Sequence, residues 1–323
     1  MSLEAVNKIL SSKSKNLFKE IVGNEVDELL YHMGQQGTGF VNAVFSSTKR
    51  TKFIENDFLN KKGMHILRCL LSKELTDHNR NMTGLSQDPN FQSFNKNGYL
   101  KLENFLDEEE FEFLRSQIVN PSFKKSSPHD AIKYKISENK KFQNIISMAN
   151  GFHITYPHFD SYDYIMVHEP HKTKDLHIDI FFPTIKFWLY LEDIDISKGP
   201  LHYVPGSHDD TKENKLRWLY ETSLVASQPS HPLHKKRKFT HKDNAFRLCI
   251  GGDNKTELNS LGFNMEIPMV GKKNTLVIID VNGFHRRGDA ADGTIRRSIR
   301  GFVREDPFKL ANEELMCYIN GRS

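Results

Sequence analysis

One short stretch, His177-Ile178-Asp179, constrains this chain more than any other part of it. It lies within Lys174–Phe182, where apolar and polar residues alternate as they do in a β-strand. Side chains two apart on a strand project from the same face, so an imidazole and a carboxylate can share one metal ion here. With a second imidazole they would form the facial triad of non-haem Fe(II) oxygenases, which leaves coordination positions open. A His-x-Asp also arises by chance among 15 histidines, so the hypothesis requires that second histidine.

The best candidate for the second histidine is His285. It comes soon after the apolar run Thr275–Asp280, which predicts a buried strand. Gly283 lies between the two and would let the backbone turn sharply, so that the imidazole points inward.

Length and composition indicate which kind of protein the sequence encodes. At 323 residues the chain can form one large domain or two smaller ones, and its composition is that of a soluble globular protein rich in phenylalanine. A net charge of +4 does not by itself imply binding to nucleic acid or to a membrane. Cys69, Cys249 and Cys317 are too few and too scattered for a disulfide framework, which favours a reducing, cytoplasmic setting. We find neither a signal peptide nor an apolar run of the roughly 20 residues that a membrane span needs.

The first part of the chain, residues 1–88, is predicted to be mainly helical. Apolar residues recur at helical spacing in three stretches, of which the second ends at Gly34 and the third covers Met64–Leu71. Residues 81–90 are polar and predict a linker or long loop. Because this part contains no catalytic constellation, we interpret it as a helical N-terminal extension that packs on the rest or faces a partner.

The remainder is predicted to be richer in strands. Asn97–Phe105 predicts a turn and a strand, Asp107 caps a following helix, Ile132–Ile136 alternates as a strand, and Phe142–Met148 predicts a short helix. Further strands are predicted near residues 162–168, 175–182, 185–191, 201–204, 274–280 and 294–303. Short strands separated by turn signals predict a mainly β protein with α extensions (α+β), built as a barrel or a double-sheet jelly roll.

Several motifs follow one another in a particular order. They are Phe94 to Leu106, His177-x-Asp179, Trp188 through Lys198-Gly199-Pro200-Leu201 to Val204-Pro205-Gly206-Ser207-His208, then His285 and Arg296. This order resembles the phytanoyl-CoA dioxygenase family, over about residues 91–305. The resemblance implies a double-stranded β-helix, a cupin-like jelly roll, forming an oxygenase domain over residues 89–323. Residues 209–270 would then be an insertion or lid.

The resemblance also implies the chemistry, since that family consists of Fe(II)- and 2-oxoglutarate-dependent oxygenases. It makes His177, Asp179 and His285 the catalytic iron ligands, with 2-oxoglutarate and O2 as co-substrates and ascorbate as an optional reductant. Arg296 matches the arginine that binds the distal carboxylate of 2-oxoglutarate, which a guanidinium holds through two parallel hydrogen bonds. Trp188 matches a position near the co-substrate, and a core tryptophan is an equally open interpretation.

The last predicted strand carries Arg296, Ser298 and Arg300 on one face. Ser298 can add a hydroxyl donor for 2-oxoglutarate, and Arg300 is the fallback for the carboxylate anchor, whereas Arg297 should point away. Relatives that halogenate carry a small residue in place of the ligand carboxylate. Asp179 therefore favours hydroxylation or a related oxidation.

Other histidines are weaker candidates for metal ligands. Pro170 interrupts any regular strand in His168-Glu169-Pro170-His171, which we interpret as a loop at the barrel mouth. His208 is expected to fix a turn, and His153 and His158 are expected at the surface or in a cleft. The basic run His231–Lys242 predicts a solvated loop, with a lid that attracts an anionic substrate as the alternative.

The sequence thus favours a dioxygenase that hydroxylates a small organic molecule and releases succinate and CO2. Ser207 and Cys249 lie in no nucleophile motif, which argues against covalent catalysis. One alternative is a non-catalytic, metal-containing jelly-roll binding protein, and another is an oxygenase acting on a macromolecule. The expected partner is a small-molecule substrate, anionic if the basic run is a lid. Neither membrane nor nucleic-acid binding is expected, and the substrate's identity and the oligomeric state are left open.

Overall fold

A computed structural model describes residues 3–37, 44, 56–82, 87–119, 136–151, 158–166, 175–179, 184–234, 238–240, 246–250, 253–291, 293–303 and 308. The helices in this part are α1 Leu3–Ile9, α2 Ser12–Val22, α3 Val26–Gln35, α4 Asp57–Lys61, α5 Met64–Met82, α6 Pro89–Asn97, α7 Glu108–Val119, α8 Lys140–Asn150, α9 Glu213–Ala226 and α10 Asn254–Ser260. The strands are β1 Tyr99–Leu102, β2 His158–Met166, β3 His177–Ile178, β4 Ile185–Tyr190, β5 Leu201–Tyr203, β6 Lys238–Thr240, β7 Phe246–Cys249, β8 Ile267–Pro268, β9 Leu276–Asp280, β10 His285–Arg287 and β11 Ile295–Val303.

The strands form two sheets whose neighbours are distant in sequence. One sheet has the order β1-β9-β4-β11-β2 and the other the order β6-β7-β3-β10-β5-β8, and the described pairs are antiparallel. Side chains from both sheets meet in one buried cluster that includes Trp188, Tyr190, Tyr203 and Val277. The predicted α+β jelly roll with a helical N-terminal region is therefore confirmed.

The outer face of the five-stranded sheet is covered by helices α6, α7 and α8. On β4, Ile185, Phe187 and Leu189 point to this side and join a buried cluster with Phe142 of α8. The side chains of Lys186, Trp188 and Tyr190 alternate with them, as expected along a strand. Strand β4 therefore presents one apolar face to the helices and a second, partly polar face to the space between the sheets.

The outer face of the six-stranded sheet is covered by α1–α5 and by α9. One buried cluster joins Phe18, Leu67 and Leu71 of the N-terminal helices with Ile178 of β3 and Phe284. Ile178 lies between His177 and Asp179, and Phe284 immediately precedes His285. The helical part that the sequence predicts as an extension thus packs on the backs of the two strands that carry the candidate ligands.

Helix α5 is longer than the sequence predicts. It continues to Met82 rather than ending near Leu71, and α6 already begins at Pro89, within the predicted linker. Apolar periodicity missed the second half of α5 because, apart from Leu75, its buried side chains there are polar: Ser72, Thr76 and Arg80. No helix of the described residues is both long enough and apolar enough to cross a membrane.

Two further predictions need correction or refinement. Ile136 begins a short helical segment, residues 136–138, and not the end of a strand, while the rest of the predicted strand lies outside the described residues. Within residues 209–270, predicted as an insertion or lid, β7 is part of the sheet itself. It pairs with β3, with Cys249 opposite His177. This segment therefore helps to hold in the sheet the strand that begins the His-x-Asp motif.

Candidate metal centre

The two histidines of the predicted triad face each other across neighbouring strands. His177 of β3 and His285 of β10 are direct partners in the antiparallel register. Their side chains project between the two sheets, with ring centroids 4.5 Å apart and ring planes inclined by 52°. Pairing of two strands that are distant in sequence thus brings both imidazoles to one point.

Asp179 completes the group from the residue just after β3. Its Oδ1 lies 3.5 Å from Nε2 of His177, and its Oδ2 lies 3.7 Å from Nε2 of His285. One ligand atom from each of the three residues lies within 4.8 Å of the other two, and all three residues are buried. The spacing and the donor types fit one transition-metal ion bound by two imidazoles and a carboxylate.

Backbone carbonyls fix which nitrogen of each imidazole is available. Nδ1 of His177 lies 2.6 Å from the carbonyl oxygen of Asp175, and Nδ1 of His285 lies 2.9 Å from that of Gly283. A carbonyl oxygen only accepts hydrogen bonds, so each Nδ1 must donate, and in a neutral ring the lone pair is then on Nε2. This is the arrangement that orients histidines around metal ions.

The surroundings of the His285 imidazole suit a metal ion. Its Nε2 is buried and makes no hydrogen bond to any described group. Burial, together with the neighbouring His177, holds the pKa of His285 well below its usual range, so the ring is neutral at physiological pH. A neutral imidazole with an unused buried lone pair is the form that a metal ion requires.

The inner face of β11 carries the predicted polar residues. Arg296 and Ser298 are buried, and Nη1 of Arg296 donates a hydrogen bond to the carbonyl oxygen of Gly199. Arg300 lies on the same face, opposite Trp188 in the register with β4. Arg297 turns to the other side, where its Nη1 lies 3.2 Å from Oε2 of Glu192. Alternation along β11 thus separates one guanidinium from its sequence neighbour.

Aromatic side chains line the space between the sheets on β4. Trp188 is buried in the cluster between the sheets, and Tyr190 donates a hydrogen bond of 2.6 Å from its hydroxyl to the carbonyl oxygen of Met269. Burial raises the pKa of Tyr190, and the positive charge of Arg296 opposes that shift. Tyr190 and Arg296 therefore lie in the same part of the interior, and Tyr190 stays a neutral phenol there.

The other candidate histidines lie elsewhere or outside the described residues. His208 is buried, and its Nε2 donates to the carbonyl oxygen of Asn95 at 3.1 Å, so it fixes a turn as the sequence predicts. Burial lowers the pKa of His208 to about 3. His153, the segment His168–His171 and part of the basic run His231–Lys242 lie outside the described residues.

The sequence also matches a family model across this region. The model of the family "Phytanoyl-CoA dioxygenase (PhyH)" matches residues 94–298, which is more than half of the chain and includes the three clustered residues and Arg296. The chain belongs to the phytanoyl-CoA dioxygenase family. Membership of this family, together with the two-histidine, one-carboxylate cluster, makes the protein a dioxygenase that depends on Fe(II) and 2-oxoglutarate. The predicted family, enzyme class and cofactors are thereby confirmed.

Solved structures of limited similarity accompany this match. The epimerase SnoN in complex with Fe3+, alpha ketoglutarate and nogalamycin RO is 13% identical, with 68% of this chain and 83% of that chain covered and a TM-score of 0.39. EctD from S. alaskensis with 2-oxoglutarate and 5-hydroxyectoine is 12% identical, with 67% and 74% covered and a TM-score of 0.40. HygX from Streptomyces hygroscopicus with nickel and 2-oxoglutarate bound is 16% identical, with 67% and 85% covered and a TM-score of 0.37. No curated protein sequence matches the chain.

The sequence analysis missed one residue that lies beside His177, Asp179 and His285 in this member of the phytanoyl-CoA dioxygenase family. Lys186, on the inner face of β4, donates a hydrogen bond to Oδ2 of Asp179. The signal that could have found it is a lysine within the apolar strand Ile185–Tyr190, because a buried ammonium needs an acidic partner. Lys186 leaves Oδ1 of Asp179 on the side of His177, which favours binding of a metal through one carboxylate oxygen.

Replacing Gly283 by alanine is expected to destabilise this enzyme by about 1–3 kcal/mol, as overpacking of a close-packed interior does. A Cβ at this position would lie 2.5 Å from Cζ of the fully buried Tyr203 and 3.0 Å from Oγ of Ser207. Thermal unfolding measures the effect. Gly34→Ala in helix α3 is the control, because its Cβ would meet only a flexible leucine side chain at 3.1 Å. An unchanged midpoint for Gly283→Ala would contradict the described packing.

Proposed function

We propose that the protein hydroxylates a small organic molecule at an iron held by Nε2 of His177, the carboxylate of Asp179 and Nε2 of His285. The observation that carries the proposal is the convergence of these three ligand atoms within 4.8 Å in a buried position. Three protein ligands on one side of a metal leave the opposite positions open for a co-substrate and O2. When bound, the iron supplies the activation of O2 that drives oxidative decarboxylation of 2-oxoglutarate and oxidation of the substrate.

Arg296 is proposed to hold the distal carboxylate of 2-oxoglutarate. It is buried on the inner face of β11, where a guanidinium offers two parallel hydrogen bonds to a carboxylate. Ser298 lies two residues further along the same face and can donate a third hydrogen bond from its hydroxyl. Tyr190 and Trp188 are proposed to form the apolar wall that excludes water from the bound co-substrate.

Lys186 is proposed to tune and orient the carboxylate ligand. Its ammonium lies on Oδ2 of Asp179, so the carboxylate cannot rotate freely and carries less negative charge toward the metal. The carboxylate itself favours hydroxylation over halogenation, since it fills the coordination position that a halide would need. The substrate is proposed to be small and to approach from the side where the three ligands leave the metal open.

The decisive test is formation of succinate from 2-oxoglutarate with Fe(II), ascorbate and O2, compared between the wild type and His177→Ala. We expect iron-dependent succinate formation by the wild type and its loss in the variant, because two ligands hold the metal far more weakly than three. Circular dichroism should show that the variant keeps its fold. Iron binding by the wild type without any binding of 2-oxoglutarate would instead support a non-catalytic binding protein.

The class of substrate is tested by the same assay. Succinate formation that rises above the substrate-free rate when a small-molecule library is added, together with an oxidised product, would support a small-molecule hydroxylase. An increase only with protein or nucleic acid would support action on a macromolecule. If the basic run His231–Lys242 attracts an anionic substrate, the Michaelis constant should rise with salt concentration. A cytoplasmic location stays a prediction.

A further inference from the structure

A fully buried ion pair lies behind the segment that leads to His285. Nζ of Lys215, on α9, is 2.7 Å from Oδ1 of Asp210, and both side chains are completely inaccessible to solvent. Removing two charges from water is costly, and well-packed apolar residues often replace such a pair without loss of stability. Stability alone is therefore a weak reason for finding the pair here, and the groups that it contacts are more informative.

The ion pair holds Asn282 by its backbone and by its side chain. Nζ of Lys215 donates to the carbonyl oxygen of Asn282 at 3.0 Å, and Nδ2 of Asn282 donates to Oδ2 of Asp210. The same Nδ2 lies 3.4 Å from the carbonyl oxygen of His208, and the backbone N–H of Asn282 donates to Oδ1 of Asp280 at 3.0 Å. Asn282 is completely buried, so these bonds fix its peptide without competition from water.

The residues after Asn282 carry this constraint to the imidazole. The backbone N–H of Phe284 donates to Oγ of Ser207 at 2.8 Å, which sets the plane of the peptide between Gly283 and Phe284. The carbonyl oxygen of that peptide is the acceptor for Nδ1 of His285, at 2.9 Å. A rotation of the segment would turn this carbonyl away and release the ring, so the direction of Nε2 depends on how firmly the segment is held.

We propose that Asp210 and Lys215 are positioning residues that fix the segment before His285 and thereby orient its Nε2 toward the metal. They touch neither the metal nor a substrate, and they act through Asn282. This inference rests on the proposed function, because it takes His285 as a metal ligand. It gives a role in the metal site to helix α9, which lies in the segment that the sequence predicts as an insertion or lid.

The test measures Co(II) affinity of the metal-free protein by titration, with no turnover needed. The double variant Asp210→Asn with Lys215→Met removes both charges together, which avoids leaving one buried charge unpaired. We expect its dissociation constant for Co(II) to rise about 10- to 100-fold, as for loss of a group that orients a ligand, while thermal unfolding stays cooperative. Phe142→Leu, in the buried cluster on the other side of the molecule, is the matched control that should lower the unfolding midpoint and leave Co(II) affinity unchanged.

His285→Ala separates the two possible failures. If His285→Ala leaves Co(II) affinity unchanged, the ligand assignment of the proposed function is wrong. If His285→Ala weakens Co(II) binding while the folded double variant binds within about twofold of the wild type, the positioning role is overturned. Should the double variant not fold, hydrogen exchange in the metal-free wild type decides. Amides of Gly283 and Phe284 that exchange only through global unfolding support a preformed segment, and faster local exchange overturns it.

Discussion

Replacing Arg296 by leucine is expected to raise the 2-oxoglutarate concentration for half-maximal succinate formation by about 30-fold to several thousandfold. That range corresponds to about 2–5 kcal/mol for truncating one partner of a buried, hydrogen-bonded charge pair. Arg296 is buried on the inner face of β11, so water cannot readily replace the hydrogen bonds that we propose it makes to the carboxylate. Initial rates at saturating Fe(II), as a function of 2-oxoglutarate concentration, measure the effect.

The chain offers a matched control one residue away. Arg297 points to the opposite side of β11, where it pairs with Glu192 and is partly exposed, so Arg297→Leu should change half-saturation by less than about twofold. Arg296→Lys should fall between the wild type and leucine, because an ammonium cannot make two parallel hydrogen bonds to one carboxylate. Wild-type half-saturation in Arg296→Leu, together with a large increase in Arg300→Leu, would move the anchor to Arg300.

Deleting residues 1–82 is expected to abolish folding of the remaining chain. The deletion removes Phe18, Leu67 and Leu71 from the buried cluster that also contains Ile178 and Phe284, and it exposes the backs of β3 and β10 to water. A large exposed apolar surface of this kind promotes aggregation. Yield of soluble protein and cooperativity of thermal unfolding measure the outcome.

Single substitutions make this expectation quantitative. Leu67→Ala on α5 should lower the free energy of unfolding by about 2–5 kcal/mol, because Leu67 is fully buried in that cluster. Tyr31→Ala on α3 should change it little, because Tyr31 is 64% exposed. A soluble fragment lacking residues 1–82 that unfolds cooperatively and forms succinate at the wild-type rate would instead support the predicted domain boundary after residue 88.

Local patterns in the sequence were sufficient for the main elements of the site. The two-residue spacing of His177 and Asp179 implies a shared strand face, and the apolar run before Asn282 predicts the strand that precedes His285. The order of motifs identified the family. What local patterns cannot give is the register between β3 and β10, which places the two imidazoles directly opposite each other. That register depends on long-range pairing.

The partners of the supporting lysines also depend on long-range contacts. Lys186 reaches Asp179 from the opposite sheet, and Lys215 reaches Asn282 from a helix in a different part of the chain. A lysine within the apolar strand Ile185–Tyr190 indicates the need for an acidic partner, but only the fold shows that Lys186 meets Asp179 and that Lys215 meets Asp210. The second half of α5 was missed because polar residues such as Thr76 and Arg80 occupy its buried face.

The alternation of side chains along strand β4 bears on how such an enzyme can diversify. Ile185, Phe187 and Leu189 pack against the helical layer on one side, while Lys186 and Trp188 face the space between the sheets on the other. Because adjacent residues contact different layers, substitutions on the inner side leave the packing of β4 against the helices in place. Substitution at every second position of this strand can therefore change the surroundings of the metal site while the contacts with the helical layer are kept.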